Sequence, residues 1–333
     1  MRLENLLALT HGKLVNEPFV NSFLNIVFDA KLVKRGDLFI AFDESTIEEA
    51  IFHGAYGILF DKPTQIRDSE IAWIKVEDAE NALKRLLRFR LIEKEVVVYS
   101  CNEILLKLAL QVMTEPNFIA VSGTMKDISH SLWNLDNGTT LLFCPKITDE
   151  KIFTDIKTLP KTGINPITVM EQTLFETSFI YDDVFYERQL ISPFFIPYLE
   201  ELLHFLKSAK INYRLKKFTP IEHFEAVFTN KNFEEKEFGT SDKVLIFERD
   251  ADLIESEIKF LQTNASWAKI IYIIPSSHKD IYINQDRIYP YSDKDEIVPI
   301  LKENSFHFAL IVGVDKSILR QPNPNQTQLT LEF

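Results

Sequence analysis

The chain has 333 residues and a net charge of −12; its 46% hydrophobic and 26% charged residues are the balance of a folded globular protein, not a disordered or fibrous one. That acidic excess excludes a general basic surface, and with it broad binding to nucleic-acid backbones or anionic membranes. Two cysteines, Cys101 and Cys144, make no disulfide framework, and no run nears the ~18 apolar residues of a membrane span.

The opening MRLENLLALTHGKL is too polar for a secretory signal, so the expected compartment is the reducing cytoplasm. Glycine is scarce, at 9 residues; average usage near 7% would give roughly 23. Loops that cradle phosphate need glycine where backbone N–H groups converge. None occurs between Gly57 and Gly123.

Residues 1–92 read as one α/β unit. Strands are expected at 25–29, 38–42, 57–60 and 72–76, followed by a helix at 79–91 with Ala82, Leu83, Leu86 and Leu87 on one face. The basic stretch 84–90 is the solvated side of that helix. From 93 to 175 short apolar runs alternate with helical patterns, at 95–99, 102–113, 118–122, 128–135, 140–144 and 150–159. Such alternation predicts a mainly parallel sheet flanked by helices. Leu199, Leu202, Leu203 and Leu206 mark a helix over 198–209, prefaced by Pro193 and Pro197. A further α/β unit follows, with strands at 243–247, 269–274 and 308–312 and helices at 253–262 and 295–304.

Two segments carry a family likeness. The first is FDAKLVKRGDLFIAF, residues 28–42, with its charged turn Lys34-Arg35-Gly36-Asp37 and its apolar run; the second is EEAIFHGAYGILFDK, residues 48–62. Together they resemble the N-terminal, UDP-sugar-binding domain of the Mur ligases, most closely the member that adds D-alanyl-D-alanine to the cell-wall precursor. The resemblance implies a three-part α/β architecture: a UDP-sugar-binding type domain over 1–92, a reduced central domain over 93–239, and a Rossmann-like domain over 240–320. A flexible tail over 321–333 follows.

In that family a G-T/S-N-G-K-T/S loop holds Mg-ATP, yet no G-K-T or G-K-S occurs in this chain. Two segments stand as its remnant, VVVYSCN at residues 96–102 and IAVSGTMKD at residues 119–127, of which the second matches better. Gly123, Thr124 and Lys126 stand where phosphate contacts belong, but Asp127 replaces the hydroxyl that should reach the metal. The bland reading is a strand followed by an Asp127-capped helix. The family's D-S-R triplet at the UDP end corresponds to Asp29-Ala30-Lys31. Asp29 and Lys31 are therefore the candidate contacts to a UDP-muramoyl peptide, without the serine hydroxyl or the bidentate fork of arginine. Glu248, Asp250 and Asp252 form an acidic group after a strand, read as helix-start caps rather than a metal site.

The tail ends in QLTLEF. Gln328, Leu329, Leu331 and Phe333 resemble the short peptide by which bacterial proteins engage the replication sliding clamp; the same pattern also fits a terminal strand. The leading expectation is a non-catalytic or strongly diverged Mur-ligase-like protein, binding or scaffolding in peptidoglycan precursor synthesis, with no cofactor, no metal and no contact with nucleic acid or membrane. One alternative is an active ATP-dependent amide ligase adding D-Ala-D-Ala to UDP-muramoyl tripeptide. The other is an interaction protein tethered to the sliding clamp.

Overall fold

A computed structural model describes residues 1–160, 166–237, 240–278 and 286–320. Its described residues fall into two compact units, one within Met1–Lys161 and Phe205–Arg214, the other within Thr162–His204 and Leu215–Phe333.

The first unit opens with α1 (Leu3–Thr10) and β1 (Lys13–Leu14). Next come β2 (Ile26–Val27), β3 (Leu38–Ala41), α2 (Ile47–Phe52), β4 (Gly57–Phe60), β5 (Ala72–Lys75) and α3 (Ala79–Glu93). The sheet order is β1-β5-β4-β3-β2; β2 to β5 run parallel, β1 is antiparallel, and β2 forms an edge. Strands β3 and β4 are buried at every residue, which is how a parallel sheet covered on both faces reads. Alternate residues sort into two cores. Leu38, Ile40, Leu59 and Ile74 pack with α1 and α3, whereas Phe39, Ala41, Ile58, Phe60 and Trp73 pack with α2.

Strands β6 (Val97–Ser100), β8 (Phe118–Val121), β9 (Thr140–Phe143) and β10 (Ile156–Thr158) form a second, wholly parallel sheet in the order β10-β6-β9-β8. Between them lie α4 (Glu103–Ala109), β7 (Met113–Thr114) and α5 (Met125–Leu132). Helix α3 joins the two sheets. Asp78 caps it by accepting from the Asn81 N–H at 2.6 Å, and Leu83, Leu86 and Leu87 are fully buried. Each such leucine contributes about 1.5–3 kcal/mol of burial. One continuous core runs from Leu6 to Phe153 through this helix, so no gap in packing marks residue 92.

In the second unit, β11 (Thr168–Gln172), β12 (Thr177–Tyr181) and β13 (Val184–Gln189) form an antiparallel meander that the sequence reading did not anticipate. Its β12–β13 turn is Asp182-Asp183, both at positive φ (46° and 59°). Two positive φ values give the mirror-image turn whose twist suits a hairpin, and Asp tolerates it. Helix α6 (Ile196–Ser208) then carries the chain on, and β14 (Tyr213–Arg214) pairs with β7 in the first unit's sequence range.

The second unit's main sheet comprises β15 (Glu225–Thr229), β16 (Lys243–Glu248), β17 (Ile270–Pro275), β18 (Ile288–Tyr291) and β19 (Phe308–Val312). Helices α7 (Ile254–Asn264) and α8 (Ile297–Glu303) connect its parallel strands. The order is β15-β16-β19-β17-β18, with only β15 antiparallel. The expected strands at 243–247, 269–274 and 308–312 and both helices are all present. The whole is an α/β protein whose three larger sheets are mainly parallel, as the sequence implied.

Candidate functional site

The loop after β8 is the first place to look for phosphate contacts. Gly123 has φ +106°, and Thr124 caps α5. Its hydroxyl accepts from the Asp127 N–H at 3.3 Å, while the Thr124 N–H and hydroxyl both donate to Asp127 Oδ2, at 3.0 and 2.6 Å. This reciprocal capping box occupies the Thr124 N–H and hydroxyl and the Asp127 N–H, three donors at the start of the helix. The bonds from Thr124 hold the Asp127 carboxyl below its usual range, so it stays ionised in that corner. Gly123, Thr124 and Lys126 are brought together as neighbours on an exposed turn, with a carboxylate already seated among them.

Helix α5 carries this loop at one end and the wall of a cavity at the other. His130 and Trp133 stand edge-on to Phe28, with ring centroids 5.3 and 5.4 Å apart. Two adjoining cavities of about 610 and 310 Å³ flank edge strand β2 and share Asn25, Ile26, Trp133 and Asn134. The larger reaches Phe23, Leu86 and Arg90; the smaller reaches Phe28, Lys34 and His130. Apolar walls with a few convergent polar groups are the usual form of a small-molecule site.

The turn predicted from Lys34-Arg35-Gly36-Asp37 shapes this rim. Asp37 is buried and accepts from the Lys34 N–H at 2.9 Å and from Asn25 Nδ2 at 3.0 Å, which fixes Asn25 at the cavity mouth. Arg90 donates through Nε to the Trp133 carbonyl at 3.2 Å and pairs with Glu93 at 3.5 Å. Asp29 and Lys31 sit on the turn just beyond β2. Asp29 is turned inward on its own backbone and accepts from the Lys31 N–H at 3.1 Å, while Lys31 is exposed. Neither lines the cavities; the sequence reading missed Asn25, Arg90 and Trp133, which do. Nothing in their local spacing marks them, because they come from three separate elements.

The acidic group after β16 divides in two. Asp250 caps the turn at 251–253 by accepting from the Asp252 N–H at 3.1 Å, as a helix-start cap should. Glu248 is instead fully buried and accepts from His223 Nδ1 at 2.8 Å. Among the described residues no cluster of three or more His, Cys, Asp or Glu side chains could hold a metal ion, and no helix is long and apolar enough to cross a membrane. Gln328, Leu329, Leu331 and Phe333 lie outside the described residues.

No protein-family model matches the chain, and no curated protein matches it in sequence. Solved structures do. The chain is similar to a crystal structure of MurF from Acinetobacter baumannii, at 10% identity and a TM-score of 0.49, covering 93% of this chain and 95% of the other. It is also similar to the MurF ligase of Thermotoga maritima solved in complex with ADP, at 13% identity and a TM-score of 0.47, covering 88% and 94%.

Proposed function

We propose that this is a non-catalytic or strongly diverged Mur-ligase-like protein that binds a peptidoglycan precursor of the UDP-muramoyl peptide class beside β2, as a binding or scaffold partner. The observation that carries the reading is Asp127. A triphosphate at the turn after β8 would have to displace an ionised carboxylate held by two Thr124 donors, and would meet its repulsion. Binding at β2 is supported by the paired cavities and by the sequence likeness of residues 28–62.

Calorimetric titration with Mg-ATP and, separately, with UDP-MurNAc-tripeptide tests the reading. Saturation by the UDP ligand alone is the expected result. Turnover of ATP with UDP-muramoyl tripeptide and D-Ala-D-Ala overturns it in favour of an active ligase, and Lys126→Ala would then abolish that activity. A second reading rests on the QLTLEF pattern alone: deleting residues 328–333 should remove sliding-clamp binding, and a pull-down unaffected by the deletion dismisses it.

A further inference from the structure

Glu257 stands on the inward face of α7 with Ile254, Ile258 and Leu261. It is fully buried, and no hydrogen bond of ordinary geometry reaches either of its carboxyl oxygens. It faces Glu248, at the end of β16, closely enough for the two to couple. Glu248 already accepts from His223 Nδ1 at 2.8 Å, from the Phe224 N–H at 3.0 Å and from the Asp250 N–H at 2.7 Å. Two ionised carboxylates cannot share a dry site, and the one rich in donors keeps its charge. Burial first, and then the charge on Glu248, push Glu257 well above the usual carboxylate range. Burial would raise Glu248 too, but the His223 contact and its other hydrogen bonds outweigh that and hold it below its ordinary value.

Glu248 also holds local backbone. Phe224 has φ +46°, an unfavourable conformation for an aromatic residue, and its N–H is one of the three that Glu248 holds. The Phe224 ring packs on Phe175, on Phe194 and on Phe260 of α7. Facing Glu257 are Glu248 from β16, Asp250 from the following turn and Tyr198 of α6, itself beside Glu201, while His223, ahead of β15, reaches Glu248. Of these only His223 can carry positive charge.

We infer that His223, Glu248 and Glu257 form a one-proton latch: a proton kept on the Glu257 carboxyl against the Glu248 carboxylate seats α7 on the sheet. Loss of that proton to solvent leaves two facing carboxylates and releases α7 together with the 221–225 turn.

Hydrogen exchange of the full-length protein over roughly pH 5 to 9, corrected for intrinsic rates, tests the latch. Opening that releases one proton lowers the protection of α7 and 221–225 amides by up to about tenfold per pH unit, while α8 stays level. Glu257→Gln, which needs no proton, removes the slope. A slope that survives in Glu257→Gln overturns the latch, and so does equal behaviour of α7 and α8 in the unaltered protein. The second comparison stands even if the variant does not fold.

Discussion

Asp127 closes on Thr124 from two directions: its Oδ2 receives the Thr124 hydroxyl at 2.6 Å and N–H at 3.0 Å, and its own N–H returns to the Thr124 hydroxyl at 3.3 Å. Each satisfies a donor the other leaves at the start of α5, so the turn is closed by its own side chains. Thr124→Ala should cost about 1 kcal/mol, read from the urea midpoint. Asp127 titrates below its ordinary 3.8, so its contribution is complete above that value and is lost as pH falls through the lower folded value. The gap between wild type and Thr124→Ala should therefore narrow in strong acid. An unchanged gap there would remove Asp127 from the account.

Gly123 is required by the same turn. At φ +106° any Cβ is strained, and one built there would lie 3.0 Å from the Asp127 Cβ. Gly123→Ala should cost about 1–2 kcal/mol. Gly138 also has positive φ, at 74°, but nothing lies within 4 Å of its Cβ position. Gly138→Ala should lose less in the same urea titration; equal losses would mean that backbone strain alone, not Asp127, sets the cost.

Glu248 and Glu257 respond to pH with opposite signs. Glu257 is raised, so its burial penalty is absent near its ordinary 4.5 and grows as pH rises above it. Glu257→Gln should raise the melting temperature at pH near 8 and converge with wild type in mild acid. Glu248 is lowered, so its contribution is present above 4.5 and fades as pH falls through the folded value. Glu248→Ala strands three donors and should cost about 3–5 kcal/mol. A melting temperature within a degree or two of wild type would contradict the hydrogen-bond network described here.

Trp133 reports on the cavities beside β2. Ligand entry there should change tryptophan emission, and Trp133→Phe should abolish the change while Trp267→Phe preserves it, since Trp133 lines both cavities and Trp267 lines neither. A signal that follows Trp267 would move the ligand away from β2.

Much of the fold was legible because its signals are local. The buried runs Leu38–Ala41 and Gly57–Phe60, the leucine face of α3, and the strand–helix spacing after residue 240 each show within a dozen residues. The meander at 168–189 was missed because its outer strands, β11 and β13, are largely exposed and without a regular apolar period. Its one legible cue, the Asp182-Asp183 turn, lacks the glycine that usually marks a hairpin.

The sequence by itself determined the α/β class, the absence of any G-K-T or G-K-S and the presence of an aspartate three residues after Thr124, since each depends on residue identity over a few positions. Tertiary structure alone decided which distant residues meet. It gathered Asn25, Arg90 and Trp133 around β2, and brought His223, Glu248 and Glu257 into one dry cluster. The reason is physical. Backbone propensity and burial act along short stretches of chain, whereas a cavity or a shared proton depends on groups from separate elements, whose approach is set by packing the whole unit.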